Sequence, residues 1–108
     1  MNNDQIKEIL LSIEETEIDF TVTMSGKESK KVNGLYKPES HEIILHNLNF
    51  KSDNQLIYTA IHEYTHHLIT VEQEKMSKGL CPKNSRCHTN EFWAKFHSLL
   101  EVAEKKGL

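Results

Sequence analysis

Apolar residues recur along this chain at a helical period, then at period two, then twice more at the helical period. Near the N-terminus, Ile6, Ile9, Leu10 and Ile13 stand at i, i+3, i+4 and i+7 with Lys7, Glu8 and Ser12 between them. That stripe predicts an amphipathic helix over 4–15, packed on the domain and closing its core. Ile18, Phe20, Val22 and Met24 then alternate with Asp19, Thr21 and Thr23, predicting a half-buried strand. The lysine-bearing stretch 25–31 reads as a solvated loop in preference to a phosphate-binding patch. Segments 32–37 and 42–46 read as two strands around the turn signal Pro38-Glu39-Ser40, with Pro38 supplying a fixed φ. Connections this short leave no room for crossover helices, so the three strands are expected to form a mostly antiparallel sheet.

The second half is helical. Ser52 or Asp53 can cap a helix over 54–72. Its apolar face is Ile57, Ile61, Tyr64 and Leu68, set against the sheet. A polar connection over 73–87, with Gly79 and Pro82, is longer than most and of the length that carries function. A final helix starts near His88 and buries Phe92, Trp93, Phe96, Leu99, Leu100 and Ala103. Lys105, Lys106 and Gly107 supply a favourable terminal charge and a stop. The expected fold is α+β: N-terminal helix, small three-stranded sheet, long helix, C-terminal helix, in one domain spanning 1–108.

Composition narrows the function classes. At 108 residues, 37% hydrophobic and 27% charged, the chain has the profile of a soluble globular domain with one modest core. A net charge of −3 gives no electrostatic reason for autonomous nucleic-acid binding. No apolar run approaches the roughly 18 residues that span a bilayer. The polar start shows no signal-peptide pattern, which makes cytoplasmic residence the default expectation. Two cysteines are too few for a disulfide scaffold. Seven histidines, four of them at positions 62, 66, 67 and 88, are what changes the picture.

His62-Glu63-Tyr64-Thr65-His66 lies inside the longest helical signal. Residues i and i+4 face one way, so His62 and His66 can offer two imidazoles to one metal ion, off the apolar stripe. Glu63, roughly 100° around the helix, can stand beside the ion as the base for a metal-activated water. A catalytic zinc site needs a third protein ligand and an open position. His88, at the mouth of the last helix, is the leading candidate, with Glu91 and Glu72 as competing oxygen ligands. His67 faces elsewhere on the helical wheel and reads as a supporting or cleft residue. Donors for a developing oxyanion are Tyr36, Arg86, His67 and His97, among which the sequence does not choose.

The motif His62-Glu63-Tyr64-Thr65-His66, followed by His88-Thr89-Asn90-Glu91-Phe92-Trp93, resembles the SprT-like and YgjP-like zinc metallopeptidases. Residues 34–45 also resemble that family's hairpin before the metal helix, so the likeness covers about 32–100. It implies a minimal zincin-like domain holding one Zn2+ by His62, His66 and His88. It further implies Glu63 as general base, the Phe92-Trp93 pair in the core, and a peptide or protein substrate. An extended substrate would pair with an edge strand beside the metal helix; the resemblance places that edge at Glu42, Ile43, Ile44, Leu45 and His46. Two departures stand out. The gap from His66 to His88 is long for the YgjP-like branch, and the zinc ribbon of longer SprT-like proteins has no counterpart among these 108 residues. Cys81 and Cys87 then read as reduced thiols, a redox-sensitive loop closure, or an inhibitory thiolate on the zinc. Competing readings are a zinc-binding domain that does not cut, a DNA-associated protease, a latent enzyme covered by 73–87, and an enzyme-like relic without metal.

Overall fold

The computed structural model describes residues 2–30, 32–76 and 90–107 of the chain. The order of elements is α1 (Asn3–Ile13), β1 (Thr21–Met24), β2 (Gly34–Lys37), β3 (Glu42–Leu45), a 3-10 turn (Asn47–Asn49), α2 (Asp53–Met76) and α3 (Asn90–Lys105). This is the α+β arrangement expected from the patterning.

α1 begins where Asn2 caps it. The Gln5 N–H donates to Asn2 Oδ1 at 2.8 Å and the Asn2 N–H donates to Gln5 Oε1 at 2.9 Å, a reciprocal cap that contributes about 1 kcal/mol. The helix ends as Glu14 turns extended. Ile6, Leu10 and Ile13 are buried in the core beneath it.

The sheet is mixed, with strand order β1-β3-β2. β2 and β3 form the antiparallel hairpin that the short turn demands. β1 instead pairs with β3 in parallel, Val22 beside Ile43 and Met24 beside Leu45. The expectation of a mostly antiparallel sheet assumed that strands adjacent in sequence are adjacent in space. The chain uses β2 and its two flanking loops as the crossover, which satisfies the length a parallel pair needs without a helix. It follows that Glu42, Ile43, Ile44 and Leu45 are not an edge. They are paired on both sides, and the His46 N–H is also taken, by the Asn33 carbonyl at 2.9 Å. The physical reason lies in composition: β3 is the most apolar strand, with Ile43 and Leu45 fully buried, and the interior position rewards that most. The outer strands are β1 and β2.

The loop after β1 is fastened to the 3-10 turn. The Ser29 N–H donates to Asn49 Oδ1 at 2.8 Å, and Asn49 Nδ2 donates to the Ser29 carbonyl at 2.8 Å and to Asn33 Oδ1 at 3.0 Å. The hairpin turn places His41 at φ 52°, in left-handed space that a non-glycine side chain seldom adopts.

α2 is the spine of the core. Ser52 accepts the first-turn contacts, its hydroxyl from the Gln55 N–H and its carbonyl from the Leu56 N–H. Beyond the predicted face of Ile57, Ile61, Tyr64 and Leu68, the helix also buries Leu56, Ala60, Thr65, His67 and Val71. It is enclosed because the sheet, α1 and α3 all pack against it. β2 meets it at Gly34, where a Cβ would stand 3.4 Å from Thr59 Cγ2 and, within the sheet, 2.9 Å from the Ile44 carbonyl. Phe92, Phe96, Leu99 and Ala103 of α3 complete the core. Among the described residues, no helix is long and apolar enough to cross a membrane.

Candidate metal centre

One turn of α2 gathers the candidate metal ligands. Ligand-capable atoms of His62, Glu63 and His66 all lie within 4.8 Å of one another. The two imidazoles, one turn apart, stand edge to face with centroids 5.3 Å apart and planes at 81°. Thr65, between them in sequence, returns its hydroxyl to the Ile61 carbonyl at 2.8 Å, so it stays within the helix and leaves the site to the others. His62 Nδ1 lies 3.1 Å from Glu63 Oε2. A ring that donates to this carboxylate through Nδ1 carries its lone pair on Nε2, the orientation that a supporting carboxylate gives a metal-binding histidine.

Aromatic side chains of α3 wall the pair. Phe92 lies 4.4 Å from His66 and 5.1 Å from His62 between centroids, and Phe96 lies 5.3 Å from His62. They fix the rings and exclude water on that side. His66 and Glu63 are buried as a result, at 7% and 5% exposure, while His62 is partly open. The pair therefore turns toward α3 and not simply to solvent. The open side is a cleft of about 360 Å³ bounded by Asn33, Gly34, Tyr58, Thr59, His62, Glu63 and Trp93, with Val32 at its rim.

Two imidazoles and a carboxylate at this spacing can hold a metal ion, and the donor set fits a borderline divalent cation. Bonds of about 2.0–2.1 Å at tetrahedral angles call for donors closer together than this, a contraction that side-chain rotation supplies.

The other sequence-predicted residues divide clearly. His88 and Arg86 lie outside the described residues, as do Cys81 and Cys87 and most of the 73–87 connection. Tyr36 and His67 belong to the core. His67 is fully buried, with Nδ1 2.8 Å from the Tyr36 hydroxyl and Nε2 2.9 Å from the Ile18 carbonyl and 3.1 Å from the Thr16 hydroxyl. Tyr36 was expected as a candidate oxyanion donor and His67 as a supporting or cleft residue; both side chains lie in the interior, where each finds its polar partner. Tyr64, stacked near His67, donates its hydroxyl to the Glu14 carbonyl, and burial pushes its pKa above the ordinary tyrosine range. His97 is exposed, stacked along Phe96 and Trp93. Glu91 is exposed at the start of α3, and Glu72 borders a separate depression with Glu14, Glu17 and Lys95. Among the described residues, neither joins the His62, Glu63 and His66 group. Trp93, expected in the core, is 41% exposed on the cleft wall.

Tyr58, Thr59, Asn33 and Gly34 are cleft residues that motif reasoning missed. A signal was present for one: Tyr58 precedes His62 by one helical turn and so shares its ridge. No protein-family model matches the chain, and no curated protein or solved structure matches it either.

Proposed function

We propose that this chain is a zinc-dependent peptidase in which His62, His66 and His88 hold one metal ion and Glu63 is the general base. The observation that carries this reading is the buried Glu63 carboxylate, set between an imidazole pair one turn apart and a cleft open to solvent. The resemblance to the SprT-like metallopeptidases supports it, as does the contact of Phe92 with His66, which brings the first turn of α3 beside the pair. In the sequence His88 stands two positions before that helix.

Bound zinc supplies Lewis acidity toward water and toward a substrate carbonyl. The protein's own groups do the rest. Glu63 Oε2 is engaged by His62, which leaves Oε1 to take a proton from water and return it to the leaving amine. The α3 aromatics keep bulk water from the back of the site. β2 replaces β3 as the strand that meets an extended substrate, because it is the outer strand and its Asn33 and Gly34 end bounds the cleft. Asn33 pairs with His46 toward β3. Antiparallel alternation therefore directs the N–H and C=O of the next residue, Gly34, to the open side.

A second reading is favoured by one observation: Glu63 lies close enough to be a ligand itself, which would close the site and make it a binding domain that does not cut. Glu63→Gln separates the two. The peptidase reading expects zinc content near that of the parent by elemental analysis and a loss of casein hydrolysis of at least about 10²-fold. Loss of the zinc would favour the closed site, and casein cleavage at the parental rate would remove Glu63 from the chemistry altogether.

A further inference from the structure

The cleft does not end at the metal pair. A second depression of about 540 Å³ shares Asn33, Tyr58 and Thr59 with it and continues past Asn54 and Gln55 over Phe50. All the described residues bounding this second depression are uncharged, although charged residues make up 27% of the chain. One ridge of α2 runs along both. Asn54, Tyr58, His62 and His66 follow one another at four-residue steps, each step advancing roughly 6 Å along the helix. Side chains on one side of an extended peptide recur every ~6.8 Å. An extended chain held beside β2 with its reacting carbonyl near His62 would bring side chains past Tyr58 and then Asn54 in near register.

We infer that this amide-lined depression is a specificity subsite that accepts a large uncharged side chain two to four residues from the scissile bond of an extended peptide. The inference rests on the peptidase reading. Tyr58 is the wall common to both depressions; it is 53% exposed, with its ring edge on Phe96 at 5.3 Å. Tyr58 is thereby held as a fixed apolar shelf for the incoming chain. Asn49, by contrast, is committed to Ser29 and Asn33 and shapes the floor without reading the ligand. Asn54 is exposed in the first turn of α2, so a charge of either sign can be placed there with little effect on the core. A charge there would be felt by the bound side chain, since the depression has none of its own.

The test uses the full zinc-loaded chain and quenched fluorescent peptides identical except for Gln, Phe, Glu or Lys at each of the positions two to four residues either side of the cut. The readout is the ratio of kcat/KM between peptides for the parent, Asn54→Asp and Asn54→Lys. At one position the parent should favour Gln and Phe over both charged residues. Asn54→Asp should raise the Lys-to-Glu ratio there by about fivefold and Asn54→Lys should lower it by a similar factor. Cleavage whose preferences ignore both variants overturns the subsite while leaving the peptidase standing. Should no peptide be cut, anisotropy of the labelled peptides on the same proteins decides. Binding with the same ranking and the same shifts supports the groove and sinks hydrolysis, whereas no binding overturns both.

Discussion

Three polar groups from two distant parts of the chain meet on His67: the Tyr36 hydroxyl, the Ile18 carbonyl and the Thr16 hydroxyl. The carbonyl can only accept, so in the neutral ring Nε2 carries the proton and Nδ1 accepts from Tyr36. Tyr36→Phe strips Nδ1 of that donor in a fully buried place. A loss of about 1–3 kcal/mol is expected, read as a lower urea midpoint with unchanged slope. If the site takes up zinc as proposed, zinc content should hold, because the phenol serves the core. Unchanged stability with lost turnover would instead return Tyr36 to the oxyanion role. The sequence exposed His62, Glu63 and His66 because helical geometry alone puts i and i+4 together. It did not expose His67 as a core residue. A helical wheel gives the direction of a side chain, and what waits in that direction is decided by segments far away in the chain, here 16–18 and β2.

Among the elements, β2 gains most from the folded arrangement. Period-two patterning located β1, and the turn signal at 38–40 located β2 and β3, each to within a few residues, but neither carries a record of which strand takes the centre. That choice depends on the relative burial each can offer, and Ile43 and Leu45 outbid Val22 and Tyr36 only once all are compared. With β3 inside, β2 becomes the strand at the cleft, and Gly34 becomes the point where it touches α2. Gly34→Ala would press a methyl against the Ile44 carbonyl at 2.9 Å and Leu45 Cδ2 at 3.2 Å. Main chain cannot yield there without disturbing the β2–β3 pairing, so a cost of about 1–3 kcal/mol is expected. A melting temperature equal to the parent's would show that β2 can shift outward at no cost. The ridge of Asn54, Tyr58, His62 and His66 was also readable in the sequence. The HExxH pattern itself marks only the last two of these four positions.

For the whole molecule, the important fact is where the metal turn sits. Metal ligands often come from loops, which need the ion to order them. Here the two candidate ligands, His62 and His66, belong to the helix that the sheet, α1 and α3 enclose. Regions of this kind open to solvent only when the entire domain does. Deuterium uptake on the metal-free protein should therefore leave the amides around Ala60 to Leu68 among the slowest to exchange, at rates that track global unfolding in mild denaturant. Fast exchange there without metal would mean that the ion builds the turn. Slow exchange would mean that the chain raises its two imidazoles before any cation arrives, and that the domain's shape owes nothing to an ion.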